Sequence, residues 1–369
     1  MSDKKKVMFL LEAFDKGGIE KVTLDIVNNL DPEKYDITVQ TFWYGGHCQS
    51  LVAPHVKVLP FFFRRYVRGI IRLIEYLSPR MLYRLFVRGT YDIEIAASDG
   101  GAAKVISGST NPKSKKVCWV HMDVVERGSK LRDFRNADTA RPIYSKFDLI
   151  VPVSEACGNK FKEKFGTQYP FRVVRNPMPV KDIQEKSNVF IPEFEDDVLN
   201  FVCVGRLVAQ KGFDRLIRAV KRVKNEVSTD FRIHIIGEGP CRGELEASIA
   251  EEGLKNEISL LGFCDNPYPY LKYADVFLLT SRDEAFPLVV GESLIVGTPI
   301  LATDCSGVRE WLADGTYGMV LDNSTEGIYS GMLQVLRNPA LLKIFKERMP
   351  EAQETISFEK GMQEFERII

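Results

Sequence analysis

Residues 199–220 read LNFVCVGRLVAQKGFDRLIRAV. LNFVCV is almost continuously apolar, the mark of a strand covered on both faces rather than alternating between core and solvent. A glycine-bounded loop, GRLVAQKG, carries Arg206 and Lys211, and a helix-like segment follows over 212–227. A buried strand that hands the chain straight to a helix is the first half of a strand–helix–strand unit, and such units make parallel sheets. The alternation recurs downstream in FRIHIIG (231–237), EISLLG (257–262), ADVFLLT (274–280), PILAT (299–303) and GMVL (318–321), with helix-like segments at 241–252 and 323–336. A separate series runs upstream: VMFLL (7–11), DITVQTF (36–42), DIEIAA (92–97), KVCWV (116–120), DLIVPV (148–153) and FRVV (171–174), with helix-like segments at 18–30 and 154–165. Two series predict an α/β protein of two Rossmann-like, doubly wound domains facing across a cleft. Residues 176–198, with three prolines and little periodicity, read as the linker. The expected domains are 1–178 and 179–356, with a helix at about 357–369 packing back on the first. Ligands of doubly wound sheets bind at the carboxyl ends of the strands, so the cleft is the expected site.

The bulk properties agree. The chain has 369 residues, 45% apolar and 27% charged, enough for two ordinary globular domains with no call for disorder. No apolar run reaches the roughly 18 residues that would span a bilayer. The start, MSDKKKVMFLLEAFDKGG, resembles a secretory leader only briefly: its apolar run ends in Glu12 and Asp15, and it reads as a first strand. Seven scattered cysteines show no CxxC or metal-ligand spacing, which predicts reduced thiols in a cytoplasmic protein. Net charge is zero but uneven: residues 1–180 hold 29 Lys+Arg against 19 Asp+Glu, a balance of +10, and the remainder holds 21 against 31, a balance of −10. The first half is therefore expected to meet something anionic.

Several stretches carry chemistry. Gly17-Gly18 falls at a strand-to-helix turn, where glycine admits a ligand close to the backbone and a helix start offers N–H groups to an anion. The pair is not a GxGxxG fingerprint and could serve as a tight turn alone. Arg206 and Lys211 stand at the carboxyl edge of the second sheet, placed to clamp two phosphates. In SRDEAFPLVVGESL (281–294), Glu284 lies in a loop, Pro287 is the expected first helical residue, and Glu292 lies inside the helix, roughly 7–8 Å further along its axis. Acceptor, helix N-terminus, acceptor is the order of groups that would meet sugar hydroxyls, a diphosphate and ribose hydroxyls. Asp92-x-Glu94 superficially resembles a metal motif, but it lies within a strand pattern whose alternation explains it.

DEAFPLVVGE (283–292) resembles the E-x7-E signature of retaining glycosyltransferases of the GT-B fold, most closely glycosyltransferase family 4. GRLVAQKGFD (205–214) is similar to that family's G-R-x3-x-K-G-x-D stretch, KGGIE (16–20) to its N-terminal glycine loop, WVH (119–121) to its first-domain histidine, and FRIHIIGEGPCRGELE (231–246) to its strand–G-x-G–helix element. The motifs stand in the family's order along almost the whole chain. The resemblance implies that Arg206 and Lys211 hold the donor diphosphate, Glu292 the ribose and Glu284 the donor sugar's hydroxyls. It implies that His121 contacts the transferred sugar, that Gly17 and Gly18 approach the diphosphate where the acceptor enters, and that Gly262-Phe263 meets the base. Gly205, Gly237, Ala285, Phe286, Pro287 and Leu288 complete the implied donor site. Two departures, Ala285 where the family usually has Gly and CSGVRE (305–310) for its late glycine loop, bear on the identity of the donor sugar.

The implied activity is retaining transfer from a nucleotide sugar, a UDP-sugar in expectation, to a lipid-linked or polysaccharide acceptor. Charge on the leaving diphosphate is met by Arg206, Lys211 and helix N-termini. Neither metal nor cofactor is expected, and Glu284 is not assigned as a nucleophile. The rival readings are a non-catalytic sugar-nucleotide-binding scaffold and a GT-B-like epimerase. Residues 61–88, FFFRRYVRGIIRLIEYLSPRMLYRLFVR, hold seven arginines and one acid among bulky apolar residues. They suit an anionic membrane surface, or else core-facing helices edged by arginine stems. No recognition motif accompanies them, so nucleic acid is not an expected partner. The expected location is cytoplasmic, on the inner face of the membrane.

Overall fold

The computed structural model describes residues 4–15, 17–62, 76–121 and 137–369. The chain forms two compact units, one of residues up to Pro177 together with Phe358–Ile369, the other Met178–Ser357.

The first unit contains β1 (Lys5–Leu11), α1 (Gly18–Asn29), β2 (Tyr35–Trp43), β3 (Lys57–Phe62), α2 (Pro79–Phe86), β4 (Ile93–Ala96), α3 (Gly101–Ile106), β5 (Lys115–Val120), α4 (Ala137–Tyr144), β6 (Leu149–Pro152) and α5 (Glu155–Phe165). Its sheet has the order β3-β2-β1-β4-β5-β6, every neighbouring pair parallel. The second unit contains α6 (Val180–Lys186), β7 (Leu199–Val204), α7 (Phe213–Lys224), β8 (Phe231–Ile236), α8 (Arg242–Glu251), β9 (Ile258–Gly262), α9 (Tyr268–Tyr273), β10 (Val276–Leu279), α10 (Leu288–Val296), β11 (Ile300–Thr303), α11 (Val308–Trp311), β12 (Met319–Leu321), α12 (Thr325–Arg337) and α13 (Ala340–Glu354). Its order is β12-β11-β10-β7-β8-β9, again all parallel. Finally α14 (Phe358–Glu366) completes the first unit.

The apolar runs of β1, β4, β7, β10 and β11 are buried on both faces, as central parallel strands require, whereas the edge strand β9 leaves Leu261 43% exposed. Along β7, Phe201 and Cys203 join the core under α7, α8 and α12, while Val202 between them joins the opposite core under α9, α10 and α13. In the first unit the rings of β1 Phe9 and α14 Phe365 stack with centroids 6.0 Å apart, and Trp119 at the end of β5 lies 5.4 Å from Phe365. In each sheet the winding reverses beside the first strand, between β1 and β4 and between β7 and β10. Those two points are where such folds hold ligands.

Three local expectations are corrected. β3 was not anticipated, because Pro60 interrupts its pattern; a proline is tolerated there because β3 is the edge strand. FRVV (171–174) makes one bridge, Phe171 to Ile150, and carries the ladder on by Arg172 N–H to Ile150 O and Val174 N–H to Pro152 O without becoming a full strand. The supposed linker is helical in part: α6 lies within it, and Met178 and Ile183 are core residues of the second unit, while the remainder is irregular.

Candidate active site

In the second unit, β7 ends at Val204 and releases Gly205, Arg206 and a 3₁₀ turn, Ala209–Lys211, before α7. Two close backbone approaches shape this corner. Gly212 has φ 69°, and a Cβ on it would lie 2.1 Å from Thr280 O, so the loop after β7 presses on the end of β10. Gly237 has φ 153°, and a Cβ there would lie 1.9 Å from Gly205 O, so the loop after β8 presses on the loop after β7. Both positions require glycine.

Lys211 and Glu284 meet at this corner. Lys211 Nζ lies 2.6 Å from Glu284 Oε1, the same oxygen accepts from Ser281 Oγ at 2.6 Å, and Thr280 Oγ1 donates to Lys211 O at 2.8 Å. The two side chains are only 21% and 12% exposed, so the pair is well shielded from water. Arg206, by contrast, is exposed and pairs with no carboxylate among the described residues. One cation is therefore free to meet an anion, and the second is held by a carboxylate that an anion must rival.

α10 starts one residue later than expected: Pro287 is its N-cap, with φ −68° and ψ 107°, and Leu288 is the first helical residue. The Val290 N–H bonds to Pro287 O at 3.1 Å, while the amides of Leu288 and Val289 have no acceptor within the helix and make its start attractive to an anion. Glu292 lies inside α10, 6% exposed. Ala285 and Phe286 are buried, and the Phe286 ring stacks on Trp311 at 4.4 Å. They shape the loop from within and can offer a ligand their backbone only. Phe263, just past β9, is 42% exposed.

The first unit carries the other residues singled out in the sequence. Gly17 caps α1 in an extended conformation and Gly18 opens it. The Glu20 carboxylate folds back on the turn, 2.3 Å from where a Cβ on Gly17 would stand, so an acidic group shares the helix start with whatever approaches it. His121 follows β5 with its ring 4.4 Å from that of Trp119. Its Nε2 is shielded and has no hydrogen-bond partner among the described residues, and burial lowers its pKa to about 3. The imidazole is neutral at pH 7, suited to exchanging a hydrogen bond with a hydroxyl. Asp92 accepts from the Lys6 N–H at 2.8 Å, and Glu94 is fully buried, accepts from Tyr83 OH at 2.6 Å and has its pKa raised by desolvation. Both are tied into the fold, but not by alternation: all four residues of β4 are buried, Glu94 among them.

Sequence reasoning missed the polar frame around Lys211 and Glu284. Arg282 grips Asp214 with both guanidinium branches at 2.7 Å, and those hydrogen bonds are the main cause of an Asp214 pKa lowered to about 2. Arg215 donates to Thr280 O at 2.8 Å and to Asn323 O and Oδ1 at 3.0 and 2.8 Å. Asp214 stands in the quoted GRLVAQKGFD stretch; Arg282 and Asn323 carried no signal, because their partners lie far away in the chain.

Residues 184–352 match the family model described as glycosyl transferases group 1. Over 209 residues the chain is 32% identical to the N-acetylgalactosamine-N,N'-diacetylbacillosaminyl-diphospho-undecaprenol 4-alpha-N-acetylgalactosaminyltransferase of Campylobacter jejuni, a match covering 56% of this chain and 55% of that one. The chain thus spans about half the length of that relative. It is 23% identical to an uncharacterised glycosyltransferase of Haemophilus influenzae, covering 99% of this chain and all of the other. The crystal structure of HepE from Anabaena in complex with UDP and glucose superposes with a TM-score of 0.77 at 18% identity, covering 98% of each chain. The fold is GT-B, and the resemblance to glycosyltransferases read from the motifs holds.

Proposed function

We propose that the chain is a retaining, metal-independent glycosyltransferase of family 4 type that moves a sugar from a UDP-sugar to a lipid-linked or polysaccharide acceptor. The observation that carries this reading is the corner at the switch point of the second sheet. There Arg206 pairs with no carboxylate among the described residues, Lys211 and Glu284 are paired at 2.6 Å, and the first amides of α10 have no acceptor within the helix. A departing nucleoside diphosphate develops charge, and preorganised cations and helix amides stabilise that charge where it forms. Arg206 and Lys211 take the diphosphate, Glu284 the sugar hydroxyls and Glu292 the ribose, while Gly17, Gly18 and His121 serve transfer from the first unit. The names of two similar proteins support the substrate class: one is a sugar transferase acting on a diphospho-undecaprenol-linked glycan, the other was crystallised with UDP and glucose.

Attachment to the inner face of an anionic membrane is part of the proposal. Of the 61–88 stretch, residues 63–75, with Arg64, Arg65, Arg68 and Arg72, lie outside the described residues. In the described part, Ser78 and Pro79 start α2. Its inner face, Leu82, Tyr83 and Phe86, is buried, and its outer face exposes Arg80, Met81, Arg84 and Leu85. Cations interleaved with apolar side chains suit a lipid head-group layer. Among the described residues no helix is long and apolar enough to cross a membrane.

The test is a thermal-shift panel with UDP, GDP and ADP, followed by incubation of labelled nucleotide sugars with a lipid extract, with and without EDTA. The expected result is stabilisation by UDP and labelled product that persists with EDTA. A chain that binds nucleotide but transfers nothing would be the scaffold, and conversion of the free nucleotide sugar would mark an epimerase. Loss of turnover on chelation, restored by Mg²⁺ or Mn²⁺, would overturn metal independence.

A further inference from the structure

Lys211 and Glu284 sit on different loops, joined by their own ion pair and by Thr280 Oγ1 donating to Lys211 O, and a larger set of contacts beside them also sets how one loop stands against the other. Arg282, in the loop after β10, donates from Nη1 to Asp214 Oδ1 and from Nη2 to Asp214 Oδ2, both at 2.7 Å, reaching the start of α7. Its backbone N–H donates to Gln210 O at 2.7 Å, and Gln210 Nε2 donates back to Asp283 O at 2.9 Å. A third loop joins them: Asn323, after β12, donates from Nδ2 to Arg282 O at 2.8 Å and accepts from Arg215 at its carbonyl and side-chain oxygens. Arg218 Nη2 also donates to Asp214 Oδ2, at 2.8 Å.

We infer that Asp214 and Arg282 are the positioning pair of the donor site, holding the loop of Lys211 and the loop of Glu284 in the register that lets both reach one nucleotide sugar. The inference rests on the proposed transferase reading and names residues that reading does not use. The pair is exposed, 37% for Arg282 and 42% for Asp214. Exposed ion pairs add little to stability, whereas a two-pronged guanidinium–carboxylate contact fixes direction as well as distance. The contacts flank the Lys211–Glu284 pair on both loops, at 209, 210 and 214 on one side and 282 and 283 on the other. If the register slips, the cation for the diphosphate and the acceptor for the sugar no longer address the same ligand. Displacements of about an ångström are enough to lower turnover roughly a hundredfold.

The test is a double-mutant cycle on the full chain: Asp214→Asn, Arg282→Gln and both together, with Arg282→Lys as the conservative variant. UDP affinity by calorimetry, donor KM and kcat, and the melting temperature without nucleotide are measured for each. The expected result is UDP affinity weakened and donor KM raised roughly tenfold in each single variant, with little change in melting temperature. The double variant should lose less than the product of the singles, because the Asp214–Arg282 contact is common to both, although Arg282 also donates to Ala209 O and Asp214 also accepts from Arg218. Arg282→Lys should recover only part of the loss, since an ammonium cannot form the fork. A role in folding alone would lower the melting temperature and the active fraction while leaving UDP affinity and donor KM unchanged, and that result would overturn the inference. So would singles whose losses multiply in the double. A wild-type chain that neither binds nor turns over any nucleotide sugar would overturn the functional reading and this inference with it, whereas an active wild type with unaffected variants overturns the positioning role alone.

Discussion

At the scale of single residues, the two cations of the donor corner are in different states, and they should respond differently to substitution. On the proposed reading Arg206→Ala removes a charge-assisted contact to the diphosphate, a loss on the order of 2–4 kcal/mol of transition-state stabilisation. Transfer should fall at least roughly tenfold with the fold intact, as initial rates beside circular dichroism would show. Glu284→Gln acts in the opposite sense on binding. It frees Lys211 from the carboxylate 2.6 Å away, so the ammonium can serve an incoming diphosphate without a rival. Affinity for UDP alone should rise roughly two- to tenfold, the worth of about 0.5–1.5 kcal/mol for one hydrogen bond, while sugar transfer collapses. Calorimetry with UDP decides it: unchanged or weaker binding would show that Lys211 does not meet the diphosphate.

His121 gives a pH signature. An unfolded imidazole titrates near 6.5, and the folded one is lowered by burial to about 3. Between those values the unfolded chain binds more protons than the folded one, so stability rises with pH across that window and falls as pH drops from 6.5 toward 3. The melting temperature should be lower at pH 5.5 than at pH 7.5, and His121→Asn should flatten the dependence. His234, also lowered by burial, keeps part of the slope. An identical slope in wild type and variant would clear His121.

At the scale of elements, the corner depends on loops that touch through glycine. Gly237→Ala would place a methyl 1.9 Å from Gly205 O at φ 153°. The backbone strain alone is worth about 1–3 kcal/mol, and the clash adds to it. The loop after β8 must then lift off the loop that carries Arg206. UDP stabilisation in a thermal-shift assay should shrink more than the melting temperature of the nucleotide-free protein falls; an unaltered UDP shift would show that the two loops are independent. This contact also marks what the sequence could show. Buried parallel strands announce themselves by composition, so β7, β8, β10 and β11 were legible, as was the placing of Arg206, Lys211 and Glu284 in the loops that follow β7 and β10. β3 was not, because its proline breaks the pattern that an edge position forgives. Nor was the partnership of Asp214 with Arg282, 68 residues apart, because ion pairs across loops leave no periodicity.

At the scale of the whole molecule, charge is divided between the two halves of the sequence, and the basic half bears the outer face of α2. Each cation near an anionic surface contributes about 1 kcal/mol, screened by salt within a Debye length, while apolar contact is not screened. Wild type should pellet with anionic vesicles strongly at low salt and less at high salt, and only weakly with neutral ones. Arg80→Gln with Arg84→Gln should reduce pelleting and its salt dependence while leaving UDP binding intact. Equal pelleting of the two proteins would assign these arginines to the fold rather than to a membrane.

The first unit is finished by α14, whose Phe365 lies fully buried against Phe9 and Trp119. The second unit, Met178–Ser357, is therefore an insertion within the first. During synthesis the usual order of N-terminal before C-terminal domains is inverted. The inserted unit is whole as soon as Ser357 leaves the ribosome, while the sheet made first must wait, with the face around Phe9 uncovered, until residues 358–369 have emerged. That interval is when an unfinished chain of this protein is most open to chaperones and to aggregation.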